Sequence, residues 1–479
     1  MLSASGVSAV AQLIGFARQV QTAAYFGVGR ELDIYYMTYA MATLLVFTFA
    51  MIFDTVTIPH LVRTLEEQGN GPFRSLTGSV FSFSLLAGLG LSILFLAATP
   101  LLARVMAAGF SAEDRSAVGS MAWYFVPWTL ISMPYYALCS FFKSARQFTP
   151  VFIGDVIIAA GTVLFLFIVH PDPRVLPLAY FAGYVLAFLM LFALSMRRFA
   201  RSGPLGTQAM KKLYRNLLEL FGANQVGSLS SVIERFFQSF IPAGGISALA
   251  YSQQITMAGS SLLSFREIFI VPLSSLERRA ERLERLIIGL TIVTIPCMLY
   301  AAVFSSEIIT VLFQRGRFDA GAAGITASTF SLYVLSLFPA VAGVPVFRMF
   351  QVIDRIRLTA VVYLLTAVNF ALFGWFFVFI AKLGTHGMAL TVVVNGYLSV
   401  LFSLYLLARC SIRPNYLRIA AYAGYTLLVS AAAAGVLRIL PLGRDALVTF
   451  LASGTLFVAL VVLGHLPIRK RLLQVVSHA

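Results

Sequence analysis

Long apolar blocks alternate along the chain with short segments that carry most of the charged and polar residues. The clearest blocks are residues 80–99, 178–194, 358–380 and 446–464. Each is close to the roughly 20 residues that a helix needs to cross the hydrocarbon layer of a membrane. Backbone groups cannot stay unpaired in that layer, so each block is predicted to be a helix.

The same pattern covers nearly the whole chain and predicts about fourteen membrane-spanning helices. The predicted fold class is therefore an all-α polytopic membrane protein. A charged share of 11% agrees with this class, because soluble domains carry about 25%. The predicted spans are residues 7–26, 35–61, 76–103, 118–142, 150–169, 176–196, 216–242, 245–275, 286–313, 322–347, 358–381, 385–408, 419–437 and 446–467.

Basic residues are concentrated in the segments that follow even-numbered spans and in the C-terminal tail. The densest groups lie at 197–215 and 278–285. The positive-inside rule then predicts that both termini are cytoplasmic. We attribute the net charge of +16 to this topology and to contact with anionic membrane lipids, not to nucleic acid. The expected location is a bacterial-type inner (plasma) membrane.

The two halves of the chain resemble each other. Residues 137–165 and 344–373 each contain an aromatic helix, a short polar and basic turn, and a helix rich in Val and Ile. They lie six spans apart, which gives both halves the same orientation, as in transporters with parallel repeats. The predicted domains are two pseudo-symmetric six-helix lobes (1–200 and 216–410), a basic cytoplasmic linker (201–215), and two extra helices with a basic cytoplasmic tail (411–479).

Charged residues also fall inside the predicted spans, where one charge costs about 2.5–3.5 kcal/mol on insertion scales. They are tolerated where they face a wet cavity or one another. The basic members are Arg18, Arg235 and Arg266, and the acidic members, considered for ion coupling or charge pairing, are Asp54, Asp155, Glu234 and Glu267.

Helical spacing places polar residues on one face of spans 1, 7 and 8. The three faces carry Gly15, Arg18 and Thr22; Asn224, Ser228, Ser231, Arg235 and Gln238; and Ser247, Tyr251 and Gln254. They predict an aqueous chamber rich in arginine, and a guanidinium group favours phosphate because it can bind two oxygens at once. Structural charge pairs or arginines that reach toward the membrane surface are the alternative interpretation.

Three motifs carry a resemblance to a known family. They are Gly15–Arg18 with Phe26, Gly27 and Asp33; the segment 236–244 followed by 246–249; and the segment 311–319. The chain resembles the MurJ/MviN family of lipid-linked glycan flippases, within the multidrug/oligosaccharidyl-lipid/polysaccharide (MOP) exporter superfamily. The resemblance implies two lobes around a central cavity, a groove at the last two helices for a polyprenyl tail, and a monomer.

The sequence departs from this family at several positions. Gln19 stands where an acidic residue is expected, and Gln12 and Gln254 stand where arginines are expected. Arg235 and Arg266 are additional. The altered cavity favours a lipid-linked exopolysaccharide or capsule repeat unit as the cargo. The alternatives are a lipid II flippase for peptidoglycan synthesis, or a cation-coupled drug or metabolite exporter of the same superfamily.

The predicted function is the movement of a polyprenyl-diphosphate-linked oligosaccharide from the inner to the outer leaflet by alternating access. The diphosphate is expected at Arg18, Arg235 and Arg266, and the sugars at Gln12, Asn224, Gln238, Tyr251 and Gln254. Because no bond is broken, we expect that the protein is not an enzyme and has no catalytic residues. We also expect no metal and no cofactor. An ion gradient or the membrane potential is the expected driving force.

Overall fold

A computed structural model describes residues 2–169, 172–196, 199–200, 203–264, 279–355, 357–440 and 445–468. Within these ranges the chain forms sixteen α-helices and no strand. The prediction of an all-α fold is therefore confirmed.

The first seven helices are 20 to 39 residues long. Ser111 and Thr207 precede the fourth and seventh helices, and each side chain accepts a hydrogen bond from a backbone amide of the first turn, as N-capping residues do. The helices are α1 (Leu2–Phe26), α2 (Arg30–Gln68), α3 (Asn70–Met106), α4 (Ala112–Ser144), α5 (Thr149–Ile168), α6 (Val175–Ser195) and α7 (Gln208–Gln238).

Nine more helices follow in the described part of the chain. A 3₁₀ turn at Val334–Ser336 joins two of them, a π-helical turn at Trp375–Ile380 ends another, and a 3₁₀ turn at Leu466–Ile468 follows the last. They are α8 (Gly245–Ser264), α9 (Arg279–Val303), α10 (Ser305–Phe313), α11 (Ala320–Tyr333), α12 (Leu337–Val352), α13 (Arg357–Gly374), α14 (Gly384–Arg409), α15 (Tyr416–Ile439) and α16 (Ala446–His465).

Within the described ranges, every predicted span coincides with one or two of these helices, and residues 265–275 of the eighth predicted span lie outside those ranges. In the described ranges, eleven helical segments are long and apolar enough to cross a membrane. They do not include α1, α7 and α8, the three helices on which the sequence places the polar faces. The ninth predicted span is interrupted at Phe304, between α9 and α10, and the tenth consists of α11 and α12.

Contacts divide the chain into two compact units, Met1–Gly244 and Gly245–Ala479. In the first unit, α4 packs against α2, α3 and α6, while α5 lies between α1 and α6. A Cβ atom at Gly183 of α6 would lie 2.4 Å from the carbonyl oxygen of Ile158 in α5. Because every other residue carries a Cβ atom, only glycine permits this close approach of the two helices.

Helix α7 packs along α2 and α3 and so belongs to the first unit. The segment that follows its C-terminal end is also held by side-chain bonds, because the Asp33 carboxylate accepts from the Gly244 amide at 2.6 Å. The Ser239 hydroxyl accepts from the Gly109 amide at 2.8 Å. The domain boundaries predicted from the sequence stay a prediction.

In the second unit, the two last helices pack against neighbours from the same half of the chain. Helix α15 lies on α9, and α16 lies on α10 and α15. The Tyr300 hydroxyl donates to the Phe450 carbonyl oxygen at 2.8 Å, and Arg418 pairs with Glu284 at 3.2 Å. A cluster that includes Phe304, Leu437 and Phe457 fills the space between these helices.

Candidate functional site

Arg18 lies on the face of a tyrosine ring in the first unit. Its guanidinium carbon is 4.5 Å from the centroid of the Tyr180 ring, a distance at which a cation is attracted by an aromatic face. The Tyr180 hydroxyl is 3.4 Å from that of Tyr39. Among the described residues, no carboxylate forms an ion pair with Arg18, and the polar side chains that act on it electrostatically include Tyr35, Tyr39 and Tyr180.

Aromatic side chains from three helices continue the surface on which Arg18 lies. Tyr39 of α2 stacks on Trp128 of α4 with ring centroids 6.2 Å apart, and Tyr180 of α6 stacks on Tyr184 at 6.3 Å. We call Arg18, Tyr39, Trp128, Tyr180 and Tyr184 the Arg18 cluster. In this cluster the guanidinium lies on the Tyr180 ring face, and no described carboxylate pairs with it.

The other polar residues of α1 have different surroundings. Gln19 is buried and accepts a hydrogen bond from the Tyr36 hydroxyl at 3.3 Å. Gln21 donates to the Val163 carbonyl oxygen of α5 at 3.2 Å. Gln12, predicted as a sugar contact, is exposed. Its predicted role stays a prediction.

A glutamine links the two charged residues near the end of α7. Arg235 donates to the Gln238 side-chain oxygen at 2.6 Å, and the Gln238 amide donates to Glu234 at 2.9 Å. Sequence neighbours on a helix do not face each other, and Gln238 solves this problem by bridging them. We call these three residues the α7 bridge. The side chain of Asn224, which is on the same helix, lies outside the described residues.

The two acidic residues predicted in spans 2 and 5 both have partners in the first unit. Asp54 pairs with Lys143 of α4 at 2.5 Å and also accepts from the Ser140 hydroxyl. Asp155 accepts from the Tyr135 hydroxyl at 3.4 Å. The pairing of Asp54 is one of the two roles proposed from the sequence. A coupling role for either residue stays a prediction.

In the second unit, Tyr251 is fully buried against two phenylalanines. Its ring centroid lies 5.3 Å from that of Phe313 and 5.6 Å from that of Phe318. These rings hold the turn between α10 and α11, where Arg315 donates to the last carbonyls of α10 and Asp319 caps α11. Tyr251 thus supports the turn of the third sequence motif.

The remaining predicted residues divide into two groups. Gln254 is partly exposed on α8 of the second unit. Arg266 and Glu267 lie outside the described residues, so their predicted roles stay predictions. No group of three or more His, Cys, Asp or Glu side chains that could hold a metal ion occurs in the ranges that the structure describes.

Most residues of the Arg18 cluster are not predicted from the sequence. Tyr39, Trp128, Tyr180 and Tyr184 lie on apolar helices, where aromatic residues are usually packing residues. One signal was present: Tyr35 and Tyr39 follow each other at helical spacing, as a polar-tipped aromatic face would. Lys143, the partner of Asp54, was assigned to a loop.

Solved structures of transporters share the fold of this chain. A multidrug resistance MATE transporter of the MOP superfamily, in an inward-facing conformation, aligns with a TM-score of 0.62 and 14% identity over 86% of this chain and 95% of that chain. A lipid II flippase MurJ, in an inward closed conformation, aligns with a TM-score of 0.83 and 18% identity over 98% of this chain and 99% of that chain. The fold is that of a multi-pass MOP-type transporter.

The family model described as "Lipid II flippase MurJ" matches residues 22–453, and the chain belongs to this family. A probable lipid II flippase MurJ from Rhizobium tropici is 25% identical over 439 residues, covering 83% of this chain and 78% of the relative. One from Aquifex aeolicus is 24% identical over 425 residues, covering 83% and 80%. The expectations of a MurJ-like transporter, and not an enzyme, in a bacterial inner membrane are confirmed.

Proposed function

We propose that this protein moves lipid II, a polyprenyl-diphosphate-linked glycan, from the inner to the outer leaflet of the membrane. The family match over residues 22–453 supports this cargo, as do relatives whose names describe them as lipid II flippases. Lipid II was the alternative in the sequence analysis. It replaces the exopolysaccharide unit, because that preference rested on a few substituted positions and the family match covers most of the chain.

The Arg18 cluster is the observation that supports diphosphate binding. A guanidinium group held by an aromatic face keeps its positive charge available, whereas an arginine paired with a carboxylate does not. Phosphate oxygens can accept two hydrogen bonds from one guanidinium. The surrounding tyrosine hydroxyls are suited to hydrogen bonds with sugar groups.

The proposed transport needs no covalent chemistry. The diphosphate binds Arg18 from the cytoplasmic leaflet, and alternating access of the two lobes exposes it to the outer leaflet. Both termini are placed in the cytoplasm on the basis of the positive charges that follow even-numbered spans. The protein acts as a monomer, and an ion gradient or the membrane potential drives the cycle.

The cargo is tested with the full chain reconstituted into proteoliposomes. Outer-leaflet appearance is measured separately for fluorescent lipid II, a lipid-linked exopolysaccharide repeat unit and a cationic dye. We expect lipid II to move faster than in protein-free liposomes and faster than the other two compounds. Preferential movement of the exopolysaccharide unit contradicts the cargo, and movement of the dye alone contradicts the whole proposal.

A further inference from the structure

A second cationic region lies in the first unit, away from the Arg18 cluster. A cavity of about 320 Å³ opens between α2 and α7, and no residue of the Arg18 cluster lines it. Ligand sites in proteins have volumes from about 300 Å³ upward. We call this space the basic cavity, and the lining residues used here are Thr55, Pro59, His60, Arg63, Lys212 and Asn216.

The charges around the basic cavity are mostly positive. Arg63 and Lys212 are exposed at its lining, and both act electrostatically on His60. None of its described lining residues is acidic. The nearest ion pair joins Arg63 to Glu67 at 3.7 Å, with about two-thirds of each side chain exposed, and such exposed pairs are weak. The side chains of Arg63 and Lys212 can therefore bind an anion that enters the cavity.

Two further features shape the cavity. The His60 ring nitrogen lies 3.1 Å from the Asn216 side-chain nitrogen, and this hydrogen bond links α2 to α7. Pro59 has no amide hydrogen for the carbonyl oxygen of Thr55, four residues earlier, so the helical hydrogen bond is missing at the cavity wall. One wall contact of the cavity is thus a direct link between α2 and α7, while Arg63 and Lys212 are exposed at its opening.

The position of the cavity suggests its ligand. Residues 60–63 and 212–216 lie at the ends of predicted spans 2 and 7, where a membrane helix meets the headgroup layer. Basic pockets between helices at this level bind anionic lipid headgroups. Arginine and lysine together are suited to binding a phosphate group. The planar guanidinium of arginine can bind two phosphate oxygens, and the ammonium of lysine adds a compact positive charge.

We propose that the basic cavity binds a phosphate-bearing group, either an anionic phospholipid headgroup or the diphosphate of a polyprenyl lipid. This inference does not depend on lipid II being the cargo, because an anionic phospholipid satisfies it equally well. Where the ligand is the polyprenyl diphosphate, the cavity acts as a loading position apart from Arg18.

Native mass spectrometry of the full chain tests the inference. The purified protein is titrated with phosphatidylglycerol, zwitterionic phosphatidylcholine and undecaprenyl diphosphate in separate experiments. All variants carry Arg18→Gln, so that binding at the Arg18 cluster does not contribute. The test variant adds Arg63→Gln and Lys212→Gln, and the matched control adds Arg74→Gln and Lys211→Gln, two exposed cations that do not line the cavity.

We expect the test variant to bind its phosphate ligand about tenfold or more weakly, because charge-assisted hydrogen bonds are lost. The matched control should bind like its parent. A second variant, Asn216→Asp, keeps both cations but adds a carboxylate to the lining, and it should also weaken binding. A preference for phosphatidylglycerol identifies a headgroup site, and a preference for undecaprenyl diphosphate identifies a loading position.

Three outcomes would overturn the inference. The first is equal affinity for phosphatidylcholine and the two anionic lipids in the parent protein. The second is an equal loss in the test and control variants, which would show a general effect of surface charge. The third is unchanged affinity in both the test variant and Asn216→Asp. None of these outcomes bears on transport of lipid II, so failure here is distinguishable from failure of the proposed function.

Discussion

Two arginines lie within predicted membrane spans of the first unit, and they have different contacts. Arg18 lies on the ring of Tyr180, whose hydroxyl group is 3.4 Å from that of Tyr39. Arg235 is tied through Gln238 to the carboxylate of Glu234. The first arrangement keeps a net positive charge in place, and the second largely neutralises it. From this comparison we propose ligand binding for Arg18 and a structural role for the α7 bridge.

The largest expected effect is a difference in lipid II affinity between variants of the two arginines. Arg18→Gln should weaken binding about tenfold or more, because its charge-assisted bonds to the diphosphate are worth about 1.5–3 kcal/mol. Arg235→Gln should change affinity less than threefold. Native mass spectrometry of the two variants gives both values, and a larger loss for Arg235→Gln reverses the assignment.

The α7 bridge should affect stability more than transport. Gln238→Leu leaves the partly buried Glu234 and Arg235 without the group that joins them. We expect a loss of about 1–3 kcal/mol in stability, the usual penalty for unpaired buried polar groups. Thermal unfolding in detergent measures it, with Ser231→Ala on an exposed part of the same helix as the control. Equal melting temperatures for both variants would show that the bridge is not structural.

The ring of Tyr180 should matter more than its hydroxyl group. Tyr180→Leu removes the aromatic face beneath Arg18, and cation–π contacts are worth about 0.5–2 kcal/mol. Lipid II affinity should then fall about three- to tenfold. Tyr180→Phe keeps the ring and removes only the hydroxyl near Tyr39, so a smaller loss is expected. Equal losses in the two variants would show that the hydroxyl, not the ring, positions Arg18.

The smallest effect is expected at Gln12. Its side chain is exposed, whereas Gln19 is buried and bonded to Tyr36. Gln12→Ala should change stability by less than about 0.5 kcal/mol. Gln19→Ala should cost about 1 kcal/mol, the usual net value of one hydrogen bond. Thermal unfolding compares the pair, and a greater loss for Gln12→Ala would contradict the surroundings described for α1.

Most of the fold follows from the hydrophobic pattern, because a membrane permits few backbone conformations other than helix. The break at Phe304 and the joined pair α11 and α12 were not predicted, since periodicity alone does not show where a long apolar segment is interrupted. The extension of α2 to Gln68 was also missed. Polar residues continue this helix beyond the hydrocarbon layer, and the apolar pattern predicts only the part of a helix inside that layer.

The candidate site was only partly predictable. Arg18 was found because a charge in an apolar helix is costly and therefore conspicuous. The bonds of the α7 bridge follow spacings of three and four residues, which the sequence displays. The rings around Arg18 come from α2, α4 and α6, and no local pattern reports such long-range packing. Tyr251 shows the converse, because it lies on a predicted polar face but is enclosed by Phe313 and Phe318.

The transport rate of lipid II in proteoliposomes tests the central claim most directly. The native chain, Arg18→Gln and the matched control Arg104→Gln, an exposed arginine near the end of α3, are compared at equal protein density. We expect native and control proteins to move lipid II at the same rate, and Arg18→Gln to be slower by about tenfold or more. A native rate no higher than that of protein-free liposomes, or an Arg18→Gln rate equal to the native rate, would contradict the account.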